Sequence, residues 1–126
     1  CYDNEIVILA DEVYQENIYT ERKWHSFKKI LWTMDPKYRE TVQILSYHSV
    51  SKGIIGECGK RGGYVEMTNV EQDVKDAFYK LSSIKLCPNV PGQLVVGMMV
   101  NPPKPGETSY KLYNEESTSI FNSLKA

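Results

Sequence analysis

The residues best suited to chemistry lie in Ser46-Tyr47-His48-Ser49-Val50-Ser51-Lys52-Gly53 and in the glycine-rich run that follows, Gly56-Glu57-Cys58-Gly59-Lys60-Arg61-Gly62-Gly63. A lysine set between a small hydroxyl residue and a glycine-rich turn containing an arginine can hold an aldehyde and a phosphate of one cofactor together. Lys52 is then the candidate nucleophile, provided that burial beside a second cation such as Arg61 lowers its pKa enough to leave the amine neutral. Ser49, Ser51 and Arg61 suit the phosphate: two hydroxyls and a forked cation that can bond it bidentately. The plain alternatives are a solvated surface lysine, serines that cap a turn, and an arginine paired with Glu57 or Glu66.

A second cluster ends the upstream run Ile6-Val7-Ile8-Leu9-Ala10-Asp11-Glu12-Val13-Tyr14. A buried carboxylate such as Asp11 keeps a cofactor's ring nitrogen protonated, and a phenol such as Tyr14 can reach a ring oxygen. A turn or capping acid and a tyrosine packed under a loop are the ordinary uses of these residue types.

Other chemistries have less support. The glycine run fits neither nucleotide-binding pattern, G-x-x-x-x-G-K-[ST] or G-x-G-x-x-G. His25 and His48 lack metal-ligand spacing to each other or to cysteine, and no serine stands in a G-x-S-x-G elbow. Cys1, Cys58 and Cys87 are odd in number and widely spaced, which suggests free thiols rather than a disulfide framework or a zinc site. Cys58 reads as small-residue packing, with a reactive thiol beside Lys60 and Arg61 as the alternative.

The elements that must position these clusters follow from apolar pattern. Ile6–Ala10 is a short, β-branched apolar run bounded by charge, which predicts a strand buried on both faces, and Val42–Tyr47 predicts a second buried strand. Both clusters then fall at strand exits, where open α/β sheets bind ligands. Gly63–Met67 reads as a third strand. Between the first two strands the mixed segment 15–37 predicts a loop with a short helix, with Asp35-Pro36 as a turn. Apolar spacing predicts a helix over 71–86, a break at Pro88-Asn89-Val90-Pro91-Gly92, a second helix over 93–100, a linker at 104–107 and a mostly polar helix over 109–124.

At 126 residues with 41% hydrophobic composition, the chain has room for one compact unit. A net charge of −1, with both signs interspersed, argues against a nucleic-acid partner. No apolar run approaches the roughly 18 residues of a spanning helix, so a soluble protein without a membrane partner is expected. The polar opening from Cys1 leads straight into a buried-type strand, and the last helix has no stop signal, so the chain is expected to be a fragment.

Taken together, Ala10-Asp11-Glu12-Val13-Tyr14-Gln15, Ser49-Val50-Ser51-Lys52-Gly53, Gly56-Glu57-Cys58-Gly59-Lys60-Arg61-Gly62-Gly63-Tyr64 and Leu86-Cys87-Pro88 resemble the alanine aminotransferase family, within the fold-type I pyridoxal-phosphate enzymes. The resemblance runs over nearly the whole chain, and Gly-Glu-Cys-Gly favours alanine over aspartate aminotransferases. It implies an α/β fold, part of a large cofactor-binding domain with a mixed, mostly parallel sheet flanked by helices. Residues 1–103 would be the second half of that domain, and 104–126 a linker and the start of an interdomain helix.

By the same resemblance, pyridoxal 5'-phosphate is the cofactor. Lys52 matches the Schiff-base lysine, which also serves as general base and acid. Asp11 matches the partner of the pyridinium nitrogen, Tyr14 the phenol at the ring oxygen, and Ser49, Arg61 and, less closely, Ser51 the phosphate ligands. The implied reaction moves an amino group from alanine to 2-oxoglutarate, giving pyruvate and glutamate, in a homodimer. Glutamate–glyoxylate aminotransferase is the neighbouring alternative, and a non-catalytic α/β scaffold the alternative from another class. The family's stacking aromatic, its phosphate-binding turn and its substrate-carboxylate arginine have no counterpart here, so the chain alone is expected to be inactive. The cytoplasm is the expected compartment, with the mitochondrion as the alternative.

Overall fold

The computed structural model describes residues 1–125. Three strands form one sheet in the order β1 (Ile8–Asp11), β2 (Ile44–Ser49), β3 (Gly63–Thr68). β1 and β2 are parallel, with Ile8 opposite Ile44 and Asp11 opposite Tyr47. β2 and β3 are antiparallel, with Ile44 opposite Thr68 and Ser49 opposite Gly63. The sheet is therefore mixed, with one pairing of each kind. A parallel pair cannot be joined by a tight turn, so the segment between β1 and β2 crosses over the sheet and carries two short helices, α1 (Phe27–Trp32) and α2 (Pro36–Arg39).

Both short helices start on side-chain caps. The Ser26 hydroxyl accepts from the Lys29 N–H at 3.1 Å, and the Asp35 carboxylate accepts from the Lys37 N–H at 3.0 Å. Asp35-Pro36, expected as a turn, is thus the cap and first residue of α2, where proline's missing N–H costs nothing. Ala10, Leu31 and Ile44 form the buried core between α1 and the sheet, with Ile8, Tyr38 and Val42 packed around them.

The sequence predicted β1 to be buried on both faces. The crossover covers one face only, and Leu9 on the other is 66% exposed. An apolar run records the hydrophobicity a strand needs but cannot say which covering elements lie within the same chain. β2, paired on both sides, is the better buried strand: Ile44, Leu45 and Ser46 are all buried.

Beyond the sheet lie α3 (Gln72–Ser83), α4 (Val90–Val100) and α5 (Tyr110–Lys125). The break expected at Pro88–Gly92 does separate α3 from α4, but α4 already begins within it, at Val90 rather than Gln93. The Asn89 side chain accepts from the Gly92 N–H at 2.7 Å, and Pro91 sits in the first turn, where no intrahelical donor is required. A Cβ on Gly62 would stand 2.6 Å from the Gly92 carbonyl oxygen, so this glycine lets the turn before β3 close onto α4. Along α5, the Phe121 ring meets Tyr19 of the crossover at 5.6 Å between centroids. Ala126, the last residue of the expected 104–126 unit, lies outside the described residues.

Denaturant unfolding checks this distribution of burial. Ile44→Ala, at a site 1% exposed, should lower stability by about 2–5 kcal/mol, whereas Leu9→Ala, on the open face, should cost less than about 1 kcal/mol.

Candidate active site

The parallel register brings the two clusters together. Asp11, the last residue of β1, stands opposite Tyr47, two residues before the end of β2. Because side chains alternate along a strand, Asp11, Tyr47 and Ser49 share a face. Past Ser49 the chain turns at once. Val50, with no exposed surface, donates its N–H to the Gly62 carbonyl at 3.1 Å and accepts from the Glu57 N–H at 2.8 Å. These two bonds tie the glycine-rich loop back onto the turn that carries Ser51 and Lys52. Gly53, at φ 68°, takes a left-handed conformation that a side chain would strain.

A cleft of about 560 Å³ opens at this end of the sheet, lined by Asp11, Val13, Tyr47, His48, Ser49, Ser51, Lys52, Gly63, Tyr64 and Val65. Four of the six residues singled out in the sequence, Asp11, Ser49, Ser51 and Lys52, therefore line the same cleft. Tyr14 and Arg61 do not line it. Tyr14 is 57% exposed on the loop after β1. Arg61 has φ 52°, and its guanidinium donates to the Cys58 carbonyl at 3.2 Å rather than pairing with Glu57 or Glu66. Glu66 instead pairs with Lys28 of α1.

Three expectations about the environment change as well. Asp11 and Lys52 are exposed, not buried, because the elements of this chain leave that end of the sheet uncovered. The Cys58 thiol, expected as buried packing, is exposed and donates to the Ser51 carbonyl at 2.9 Å. The Ser49 hydroxyl accepts from the Ser51 N–H at 3.2 Å, so it does stabilise the turn while its own proton remains free to donate to an anion.

The donor set suits a flat aromatic bearing an aldehyde and an anion. A carboxylate, two hydroxyls and a primary amine are distributed around Val13, Val65 and two phenols, and the volume is that of a small-molecule site. Tyr47 and Tyr64 are lining residues that the sequence analysis missed. Tyr47 could have been found by counting back two residues from Ser49. Tyr64 depended on the antiparallel pairing of β3, which no local pattern announces. Among the described residues, no group of His, Cys, Asp and Glu side chains is arranged to hold a metal ion.

Comparison with known proteins finds similarity to aminotransferases. The chain is homologous over nearly its whole length to a stretch of alanine aminotransferases. It is 50% identical over 123 residues to "Alanine aminotransferase 2" of Xenopus laevis, covering 97% of this chain and 23% of that protein. It is 54% identical over 127 residues to "Probable alanine aminotransferase, mitochondrial" of Dictyostelium discoideum, covering 99% and 24%. "Glutamate--glyoxylate aminotransferase 1" of Arabidopsis thaliana is 52% identical over 126 residues, covering 99% and 26%. The chain thus spans about a quarter of the length of these relatives, and no protein-family profile matches it. No described helix is long and apolar enough to cross a membrane.

Burial, and then the carboxylates of Glu66, Glu12 and Glu16, hold the Tyr64 phenol above the usual tyrosine pKa of 10.0. The folded state thus binds this proton more tightly than the unfolded chain does. The resulting stabilisation is fully present below pH 10 and is lost as pH rises through the higher folded pKa. Ultraviolet titration of phenolate should show one late-ionising tyrosine that disappears in Tyr64→Phe, together with a steeper fall of stability above pH 10 in the parent than in the variant.

Proposed function

We propose that the chain is part of a fold-type I, pyridoxal-phosphate-dependent aminotransferase, and that the complete protein converts L-alanine and 2-oxoglutarate to pyruvate and L-glutamate. The observation that carries this reading is the shared cleft. Asp11 from the end of β1, Ser49 from the end of β2, and Ser51 and Lys52 from the turn after it line one cleft, in a sequence matched nearly end to end by alanine aminotransferases. In this reading 1–103 is the second half of the cofactor-binding domain, 104–126 leads into an interdomain helix, and the working protein is a homodimer. The compartment is the cytoplasm or the mitochondrion, the latter in keeping with the name of the Dictyostelium relative.

Lys52 would hold the cofactor's aldehyde through its ε-amine. The same amine is the group assigned to take the proton from the bound amino acid's α-carbon and to return one when product forms. Asp11 would hold a proton on the ring nitrogen by charge, Ser49 and Ser51 would donate to the phosphate, and Val13 and Val65, which line the same cleft, would offer apolar surface to the ring. Tyr14 at the ring oxygen and Arg61 at the phosphate are assigned from the motif alone. Pyridoxal phosphate, when bound, supplies an electron-withdrawing ring that stabilises negative charge at the substrate α-carbon.

Glutamate–glyoxylate transamination is the second reading, favoured by the 52% identity to the Arabidopsis protein of that name. It uses the same residues and differs in the walls that select the substrate.

Borohydride reduction of the complete protein with pyridoxal phosphate should leave a pyridoxyl group on Lys52 above all other lysines. Labelling spread evenly over surface lysines would sink the assignment. Lys52→Ala should remove transamination, and Asp11→Asn should lower kcat by about 10²-fold or more. Amino-donor and acceptor profiling then separates the two substrate readings. The 126-residue chain by itself should not sustain turnover, and steady transamination by it would contradict the proposal that further elements complete the site.

A further inference from the structure

A second, smaller cavity of about 170 Å³ lies on the covered face of the sheet, and its lining includes Ser46, His48, Tyr64 and Glu66 from the strands and Trp24 and Lys28 from the crossover. Most of its polar groups are already engaged. Glu66 pairs with Lys28, Glu12 accepts from the Phe27 N–H at 2.8 Å, and Ser26 caps α1. Two are not. The Ser46 hydroxyl and His48 Nδ1 are fully enclosed and have no protein hydrogen-bond partner among the described residues, in side chains only 6% and 8% exposed.

Ser46 and His48 are two apart on β2 and so project from the same face. Buried polar groups left unpaired are costly, and the cavity is several times the roughly 30 Å³ that one water occupies. The His48 ring is held edge-on to Tyr64, its cross-strand neighbour, at 5.9 Å and 88°. The same two residues also line the larger cleft, so they form part of the wall between the two cavities.

We propose that this cavity is a binding site for ordered water, bonded by Ser46 Oγ and His48 Nδ1, and that His48 is thereby a positioning residue for the cofactor cleft. His48 immediately precedes Ser49, the hydroxyl that receives the Ser51 N–H one residue before Lys52. A ring fixed by Tyr64 on one side and by water on the other holds the end of β2 in one orientation. The positioning role rests on the aminotransferase reading, whereas the water site stands independently of it.

A high-resolution crystal structure of the complete protein should show a density peak within hydrogen-bond distance of both His48 Nδ1 and Ser46 Oγ. A dry cavity overturns the site, as does a protein side chain bonding both atoms. His48→Leu and Ser46→Ala should each lower the melting temperature of the cofactor-free protein and weaken pyridoxal-phosphate binding by about tenfold, equivalent to about 1.4 kcal/mol. His48→Asn, which keeps a polar atom near the Nδ1 position, should restore affinity to within about threefold, equivalent to about 0.7 kcal/mol. His48→Gln, whose amide reaches toward the Nε2 position, should not. Equal affinity in the parent and His48→Leu overturns positioning while leaving the aminotransferase reading intact. A parent that binds no cofactor overturns that reading and the positioning role together, and the crystallographic peak still decides the water site.

Discussion

The parallel register of β1 on β2 is the constraint on which the rest depends. With Asp11 opposite Tyr47, the carboxylate at the end of one strand comes level with the approach to Ser49 and Lys52 at the end of the next. A slip of one residue would turn Asp11 to the covered face and separate it from the lysine turn. The core holds that register: Ala10 and Ile44 are buried against Leu31, and any other pairing would move them out from under α1.

From this constraint the two sides of β2 acquire different chemistry. Tyr47 and Ser49 share a face with Asp11, while Ser46 and His48 project from the opposite face of β2, and Tyr47 and His48 line both the cleft and the covered cavity. β3 completes both sides, supplying Val65 to the cleft, Glu66 to the covered cavity and Tyr64 to each. The crossover is held to the sheet by its apolar core, by the Lys28–Glu66 ion pair and by the Phe27 N–H on Glu12. Glu12 directly follows Asp11, so the start of α1 is bonded to the residue next to the candidate cofactor acid.

The exposure of Asp11 and Lys52 has the same origin as that of Leu9. The crossover and α1 occupy one face, and no described element covers the strand ends on the other. A carboxylate and an amine perturb their partners far more in a water-excluded site than in an open one. The residues proposed for aldehyde and phosphate chemistry therefore lie in an open cleft here. The chain's span of about a quarter of the length of its aminotransferase relatives is in keeping with that arrangement.

The sequence by itself determined the element types around both clusters, because β-branched apolar runs, glycine-rich turns and helical apolar spacing are local signals. It also determined the residue types of Asp11, Ser49, Ser51 and Lys52, and their placement at strand exits. Where local reading failed, a longer-range contact or a cap had overridden it. The break before α4 is real but ends earlier than the prolines suggested, because Asn89 caps the helix, and Asp35-Pro36 is the start of α2 rather than a turn alone. Only the tertiary structure decided that four of the six singled-out residues line one cleft, that Tyr14 and Arg61 stand off it, that Tyr47 and Tyr64 join it, and that Ser46 Oγ and His48 Nδ1 are enclosed without a partner among the described residues. The physical reason is that register, antiparallel return and coverage are relations between segments far apart in the chain, whereas propensity and spacing act over a few residues.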